Sequence, residues 1–357
     1  MVRWTQSEDQ DFEADNRGWE KNKTRTHTDG NKQLVKKIRK ELEKSDRYLY
    51  VGPKAILKRI NKNKKYKNKN FNIPFITRTL KELKLSKPNK KRKKGGSRYS
   101  HYPKYLISEI GETILEIDFV QRFIKGQTKP LNFLAFSCKQ LNLKQYRRVS
   151  AQTSINTQKE LKWFFKQFFI PDAVKMDNGS AFIGSNSAKR TISKTVKFLF
   201  SKNIISIFTN PRSPWNNGSV EGSNSVFARN FWNKFIFKSV EEVDKKLKWF
   251  NQSSLEYSDY DEKNIKRDKD KKFIPQIYFI RKVYVDEQTE KGEINILNEK
   301  IILPNEYINL YTLSMWNLKT QMLYIYFEKE QNKILIKKLK FQINKNCHFQ
   351  SLLSFDY

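Results

Sequence analysis

Apolar residues recur along the chain with two different periods, and the change of period divides it. Between Asn31 and Asp46, Leu34, Val35, Ile38 and Leu42 fall at helical spacing. A second short helix is predicted over Gly52–Asn61, with Pro53 in its first turn and Ala55, Ile56, Leu57 and Ile60 inward. A third is predicted over Ile73–Leu85, capped by Asn72, with Pro74 in the first turn and Ile76, Leu80 and Leu83 as its stripe. Three short helices over 31–86 match a helix-turn-helix, winged-helix-like module whose third helix enters a DNA major groove. Thr77, Arg78, Lys81 and Lys84 lie off the apolar stripe, where that helix would meet DNA, with Arg78 and Lys81 as its reading residues. A plain three-helix scaffold with a solvated basic face produces the same pattern. Residues 1–30 are polar and aperiodic and read as a poorly ordered tail. Residues 87–110 include Lys-Pro-Asn-Lys-Lys-Arg-Lys-Lys-Gly-Gly and read as a basic linker.

Beyond the linker the pattern turns to strands. Thr113–Ile124, Leu131–Cys138 and Gln145–Ser150 are rich in β-branched and aromatic residues. A helix over Asn156–Phe169, a strand over Ala173–Met176, a helix over Ser193–Ser201 and a strand over Ile204–Phe208 follow. A long helical stretch from Asn217 to Phe235 comes next. The order β-β-β-α-β-α-β-α predicts a mixed α/β layer rather than a doubly wound nucleotide fold. With the amphipathic stretch Ser239–Gln252, this domain covers 111–255. Residues 256–275 are charged and linker-like, and the short alternating strands of 276–345 predict a small β-barrel. The expected architecture is therefore a multidomain α/β protein.

Composition sharpens the picture. The 357 residues hold 71 Lys plus Arg against 37 Asp plus Glu, a formal net charge of +34, while 14% aromatic residues supply folded cores. So large a cationic excess calls for a polyanion, and counterion release from a nucleic-acid backbone is its strongest physical use. No stretch reaches the roughly 18 consecutive apolar residues of a membrane span, and the first thirty residues lack a signal-peptide core. The two cysteines, Cys138 and Cys347, and the three scattered histidines suit neither a disulfide framework nor a zinc site. A DNA-associated protein of a reducing cytoplasm is the expectation.

Three carboxylates stand out by context. Asp118 sits inside the apolar strand Ile-Leu-Glu-Ile-Asp-Phe-Val, where alternation puts Glu116, Asp118 and Val120 on one face. An Asp there is costly unless a cation or hydrogen bonds offset its desolvation. Asp177 ends the next buried strand and opens Asp-Asn-Gly. Glu221 follows Pro-Trp-Asn-Asn-Gly-Ser-Val and falls in the first turns of a helix. Each alone has a plain structural reading, as a turn or as a helix-dipole partner. Glu116, Asp172 and Glu241 are nearby acids without a motif around them.

Taken in order, Ile-Asp-Phe-Val, Lys-Met-Asp-Asn-Gly-Ser-Ala-Phe and Pro-Trp-Asn-Asn-Gly-Ser-Val-Glu resemble the catalytic core of the DDE transposase and integrase superfamily, whose fold is ribonuclease-H-like. The resemblance, to a retroviral-integrase-like core of the bacterial insertion-sequence type, covers Thr113 to Phe235. It implies that Asp118, Asp177 and Glu221 are the catalytic acids and hold two Mg2+ ions, with Mn2+ as a substitute. It also implies Asn224 near the DNA, with Arg229 adjacent in place of the lysines of retroviral enzymes. The activity implied is nicking of element ends and joining of the 3′-hydroxyl to target DNA by a synaptic multimer. The partners implied are the terminal repeats and the target duplex, with no membrane. A catalytically idle DNA-binding protein and a nuclease of the same fold are the alternatives. Two features depart from the family: the zinc-binding amino-terminal domain of retroviral integrases is absent, and Asp177 and Glu221 stand further apart than is usual. The surplus fits a surface-loop insertion over Gly184–Thr195.

Overall fold

The computed structural model describes residues 28–45, 50–66, 71–86, 102–184, 188–261 and 274–344. They fall into two compact units, the first within 1–90 and the second from 91 onward, with Tyr50 counting in the second.

In the first unit α1 (Asp29–Lys44), α2 (Pro53–Lys62) and α3 (Ile73–Glu82) close their stripes on one another. Val35, Ile38 and Leu42, Ala55, Ile56 and Ile60, and Phe75, Ile76 and Leu80 are all buried. Asn72 caps α3 by accepting the Phe75 N–H at 2.9 Å, and Pro74 occupies the first turn, where no amide donor is needed. Lys32 of α1 pairs with Glu82 of α3 at 3.0 Å. Arg78 and Lys81 are exposed. The expected tail lies outside the described residues up to residue 27; Asp29 and Gly30 belong to α1, where Asp29 favours the helix dipole.

The second unit opens with α4 (Lys104–Ser108), then β1 (Ile114–Arg122), β2 (Leu131–Cys138), β3 (Leu143–Val149), α5 (Ser154–Gln167) and β4 (Ala173–Met176). It continues with α6 (Ser180–Ile183), α7 (Lys194–Phe200), β5 (Ile205–Phe208), α8 (Gly218–Phe227) and α9 (Val240–Glu256). The carboxyl-terminal strands are β6 (Gln276–Lys282), β7 (Tyr284–Val285), β8 (Gly292–Ile296), β9 (Glu299–Leu303), β10 (Tyr311–Asn317), β11 (Met322–Lys329) and β12 (Asn332–Lys340). Nine strands form one mixed sheet in the order β12-β11-β10-β6-β5-β4-β1-β2-β3. β1, β4, β5 and β6 run parallel, while β1-β2-β3 and β6-β10-β11-β12 are antiparallel. One face packs Leu115, Ile117 and Val174 against Leu161 and Phe164 of α5 and Leu199 of α7. The other packs Val120, Phe133 and Tyr146 against Val220 and Phe227 of α8 and Phe250 of α9.

Four expectations change. The linker over 87–110 lies outside the described residues through residue 101, but α4 then forms a helix. Its Leu106 and Ile107, with Ile110, are buried against Ile207, Ile280 and Leu313. The segment 276–345 does not stand apart as a small barrel: β6 pairs in parallel with β5, and β10, β11 and β12 follow it in the same sheet. Among the described residues only β7, β8 and β9 form a separate sheet. Without β6 the buried strand β5 would be an edge with unpaired amides. Ile277 and Phe279 also continue its apolar face, with the Phe208 and Phe279 rings stacked at 5.6 Å. The helix predicted to reach Phe235 instead widens after Phe227 into a π turn over Ala228–Trp232.

The expected surface insertion is the fourth. Residues 185–187 lie outside the described residues, but Ile192, Ser193 and Thr195 are buried. The Ser193 hydroxyl donates to the Phe182 carbonyl and accepts the Val196 N–H at 3.0 Å, capping α7. Thr195 Oγ1 donates to the Ala181 carbonyl at 2.7 Å. Ser193→Ala is therefore expected to lower stability by roughly 1–2 kcal/mol in urea unfolding. An unchanged midpoint would return this stretch to the surface-loop reading.

Candidate active site

The pleat of β1 sends Glu116, Asp118 and Val120 toward α8, as the alternation predicts. β1 and β4 pair with Glu116 opposite Lys175. That pair is the last in the β1–β4 register; Asp118 follows two residues later on β1, and Asp177, just past the end of β4, lies near enough for its charge to act on Asp118. Asp177 leaves the end of β4 and turns the chain: its Oδ1 accepts the Gly179 N–H at 2.9 Å. A Cβ at Gly179 would stand only 3.0 Å from that same oxygen, so the turn favours glycine. Asn178 is held by the Thr209 carbonyl, which its amide reaches at 2.6 Å, and by Arg281 Nη2, which donates to its Oδ1 at 2.9 Å.

Glu221 reaches the same face through a different device. Glu116 Oε2 accepts the N–H groups of Ser219 at 2.8 Å and Val220 at 3.0 Å, two of the orphan donors at the start of α8. Its other oxygen meets Lys175 Nζ at 3.2 Å, an ion pair in which both side chains are largely buried. One carboxylate thus ties β1, β4 and α8 together, and Glu221 is the next residue of the helix so anchored. Further along, Tyr146 of β3 shares a hydrogen bond with Ser223 at 2.6 Å and donates to Asn224 Oδ1 at 3.1 Å. The Asn224 amide donates in turn to Asp118 Oδ2 at 3.2 Å.

Asp118 senses the other two acids. Burial pushes Asp118 up to about 7, the Asp177 charge and the weaker Glu221 charge add to that, and the Phe119 N–H and the Asn224 amide oppose it. Asp177 is raised by burial against the pull of the Gly179 N–H. Glu221, more exposed, is raised by burial and then by Glu116. Among the described residues no group of three or more His, Cys, Asp or Glu side chains is gathered closely enough to hold a metal ion. The donor chemistry nonetheless fits a hard divalent cation. Two neighbouring carboxylates are both driven toward their neutral forms, and a bound cation would relieve both.

Of the other residues singled out in the sequence, Asn224 has its amide engaged at both ends as above. Arg229 is exposed, with its Nε donating to the Ser225 carbonyl at 3.2 Å. Arg78 and Lys81 belong to the first unit. Glu116, Lys175 and Tyr146 are the positioning residues that sequence reasoning missed. The available signal was that Glu116 and Lys175 each stand two residues before an acid, on the same face of neighbouring strands. Asp172 is structural, since its Oδ2 accepts from the Thr113 N–H at 2.9 Å and hydroxyl at 3.0 Å.

No protein-family model matches the chain. The chain is 30% identical over 199 residues to "Putative integrase ORF3" of Spiroplasma virus SpV1-C74. The match takes in 50% of this chain and 49% of that protein, so the chain spans about half the length of the curated relative. Among solved structures, the catalytic core domain of BIV integrase is 11% identical, covering 40% of this chain and 80% of that one, with a TM-score of 0.28. The HTLV-2 integrase catalytic core domain in complex with magnesium, in a trimeric form, is 18% identical over 38% of this chain and 81% of that one, with a TM-score of 0.29. A chain of the simian T-cell lymphotropic virus intasome in complex with PP2A regulatory subunit B56 gamma is 12% identical, covering 82% of this chain and 96% of its own, with a TM-score of 0.36. The resemblance to the integrase and transposase superfamily stands on the curated relative, since structural likeness at these TM-scores carries no argument.

Two outcomes follow from the electrostatics. With its pKa at about 7, folded Asp118 keeps a proton that the unfolded chain has lost above about pH 4. The folded state binds more protons across that window, so stability falls as pH rises through it. In chelator, Asp118→Asn is expected to be more stable than the native chain at pH 8, on the order of 2–4 kcal/mol, with the gap closing toward pH 4. A gap independent of pH would contradict the raised pKa. Separately, Glu116→Gln strips buried Lys175 of its anion and should cost on the order of 3 kcal/mol. Adding Lys175→Met should recover much of that. A single variant as stable as the native chain would remove Glu116 from its anchoring role.

Proposed function

We propose that this chain is a DNA integrase or transposase that nicks the ends of a mobile element and joins the 3′-hydroxyl to target DNA. The observation that supports the reading is the nearness of Asp118 and Asp177, whose charge raises Asp118, beside a helix that carries Glu221 and whose start is anchored by Glu116. The resemblance of the surrounding segments to the superfamily, and a curated relative with the name of an integrase, support it. In this reading the part of the sheet around β1–β5 is a ribonuclease-H-like catalytic core.

Asp118 and Asp177 would hold a divalent cation, and Glu221 would contribute to holding a second. Magnesium suits an all-oxygen donor set, and manganese substitutes for it. When bound, such ions supply Lewis-acid activation of a water or a 3′-hydroxyl and neutralise charge at the leaving oxygen. The chain's own work is positional. Asn224 orients Asp118, the Gly179 N–H orients Asp177, and Glu116 sets the first turn of α8. Asn224 and the exposed Arg229 lie on the helix that also carries Glu221 and its continuing turn, the side on which the reacting DNA end is held.

The first unit acts as a helix-turn-helix module, with Arg78 and Lys81 on the exposed face of α3 reading the element's ends. The net charge of +34 supplies the sequence-independent part of DNA affinity. A multimer that brings two element ends together is the working form.

The test is joining of a labelled duplex ending in the terminal repeats that bracket the gene, with Mg2+ present and DNA binding followed in parallel. Asp118→Asn, Asp177→Asn and Glu221→Gln should each abolish joining while binding persists, and Glu241→Gln should join normally. Joining by one triad variant would remove that residue from the site, and joining by all three would remove the enzymatic reading. Arg78→Ala should weaken binding to the repeats by about 1–3 kcal/mol relative to random DNA if it meets a guanine edge. Equal loss on both DNAs would reduce Arg78 to a phosphate contact.

A further inference from the structure

Beyond α4, one face of the carboxyl-terminal strands is open to solvent. Along β11, Leu323 and Ile325 turn into the main core, while Tyr324 and Tyr326 alternate to the opposite face and are half-buried. On that face Tyr324 stands between Met315 of β10 and Lys338 of β12, and Tyr326 between Leu313 and Leu335. α4 packs against Leu313. Further out, Leu335 is 50% exposed, and Lys333, Lys338 and Lys340 are exposed. Glu328, the acid opposite Lys333, already accepts the Leu106 N–H at 2.9 Å. Among the described residues no ion pair holds any of these three lysines.

The two tyrosines form a platform. Their ring planes lie within 5° of parallel, with centroids 6.3 Å apart, about one strand repeat. Lys333 Nζ sits over the Tyr326 ring at 4.1 Å from its centroid, and Lys338 Nζ over the Tyr324 ring at 5.4 Å. Each ring therefore turns a face, not only an edge, toward a solvated cation. Lysines on an edge strand also discourage pairing with another sheet, and tyrosines suit any strand. Neither reason calls for aromatic faces beneath unpaired ammonium groups. Parallel aromatic faces flanked by cations are what unpaired bases and their phosphates require, whereas the bases of a duplex are already stacked on one another. The row of Tyr324 also runs on through Met315, Tyr278, Ile207 and Lys175 to Glu116. The platform thus shares the sheet face that carries Glu116 and Asp118 on β1, five strand spacings or about 24 Å away.

We propose that the open face of β11 and β12 binds single-stranded DNA, with bases stacked on Tyr324 and Tyr326 and phosphates on Lys333, Lys338 and Lys340. The choice of an unpaired strand rests on the rings. The choice of DNA over RNA rests on the proposed function.

The full chain tests it by fluorescence anisotropy in chelator at fixed salt, with labelled oligo(dT), a mixed-sequence duplex and oligo(rU) of equal length as probes. Tyr324→Ala with Tyr326→Ala should weaken oligo(dT) by about tenfold or more and leave duplex binding unchanged. Because Tyr326 also packs beside α4, Tyr324→Leu alone is the second variant. It keeps apolar cover and should lose about fivefold or more on oligo(dT) at an unaltered unfolding midpoint. Tyr324→Phe with Tyr326→Phe keeps both rings and should bind as the native chain does. Lys338→Gln with Lys340→Gln should flatten the salt dependence of oligo(dT) binding. Lys159→Gln with Lys166→Gln, an equal charge change on exposed residues of α5, should flatten it less. Oligo(rU) should bind no more tightly than oligo(dT). Equal losses on strand and duplex, or no loss in the Ala and Leu variants, would overturn the face as a single-strand site. Tighter binding of oligo(rU) would overturn the choice of DNA. In chelator these affinities do not draw on the candidate acids, so failure here and failure of the joining assay are distinct outcomes.

Discussion

The Glu116 carboxylate is the interaction on which the site depends. A strand carboxylate that accepts two amides from the start of a helix is a cap supplied from outside that helix, and it fixes where the helix begins. With Lys175 on the adjacent strand as its counter-ion, the same group also locks β1 to β4 two residues before Asp118 and Asp177. Removing the anion would leave a buried ammonium and two open amides together. The placement of the three candidate acids therefore rests on a fourth acid that acts only as an anchor.

The carboxyl-terminal strands matter to the site for a related reason. Arg281 of β6 is buried, and its guanidinium donates to the carbonyls of Thr209, Ile280 and Asn295 and to the side chain of Asn178. The turn that carries Asp177 is thus braced by a residue about a hundred positions later. A separate barrel joined by a linker would have no such hold. The continuous sheet makes residues beyond Gln276 part of the support for the acids.

Much of this was legible in the sequence, and what was not has a physical cause. β1 and β4 announce themselves through runs of β-branched and apolar residues, and an Asp inside or at the end of such a run asks for an explanation. The cap at Asn72 sits where the sequence expects it, whereas Ser193, read as part of a loop insertion, caps α7. The pairing of β6 with β5 was not legible, because alternation tells which face of a strand is apolar and says nothing of its neighbour. α4, five residues long, is too short for a periodic signal after a run of lysines. The bond between Glu116 and Lys175 exists only once the register of two distant segments is known. Asn224 was singled out for DNA, yet its contacts within the fold, to Tyr146 and Asp118, depend on how α8 lies over β1–β3.

In the proposed function Asp118 and Asp177 would share a divalent cation. Anomalous scattering from Mn2+ in crystals of the full chain tests that most directly. The expected result is a manganese peak in contact with carboxylate oxygens of both residues, lost in crystals of Asp118→Asn. Manganese bound elsewhere, or a peak unchanged by that substitution, would contradict it.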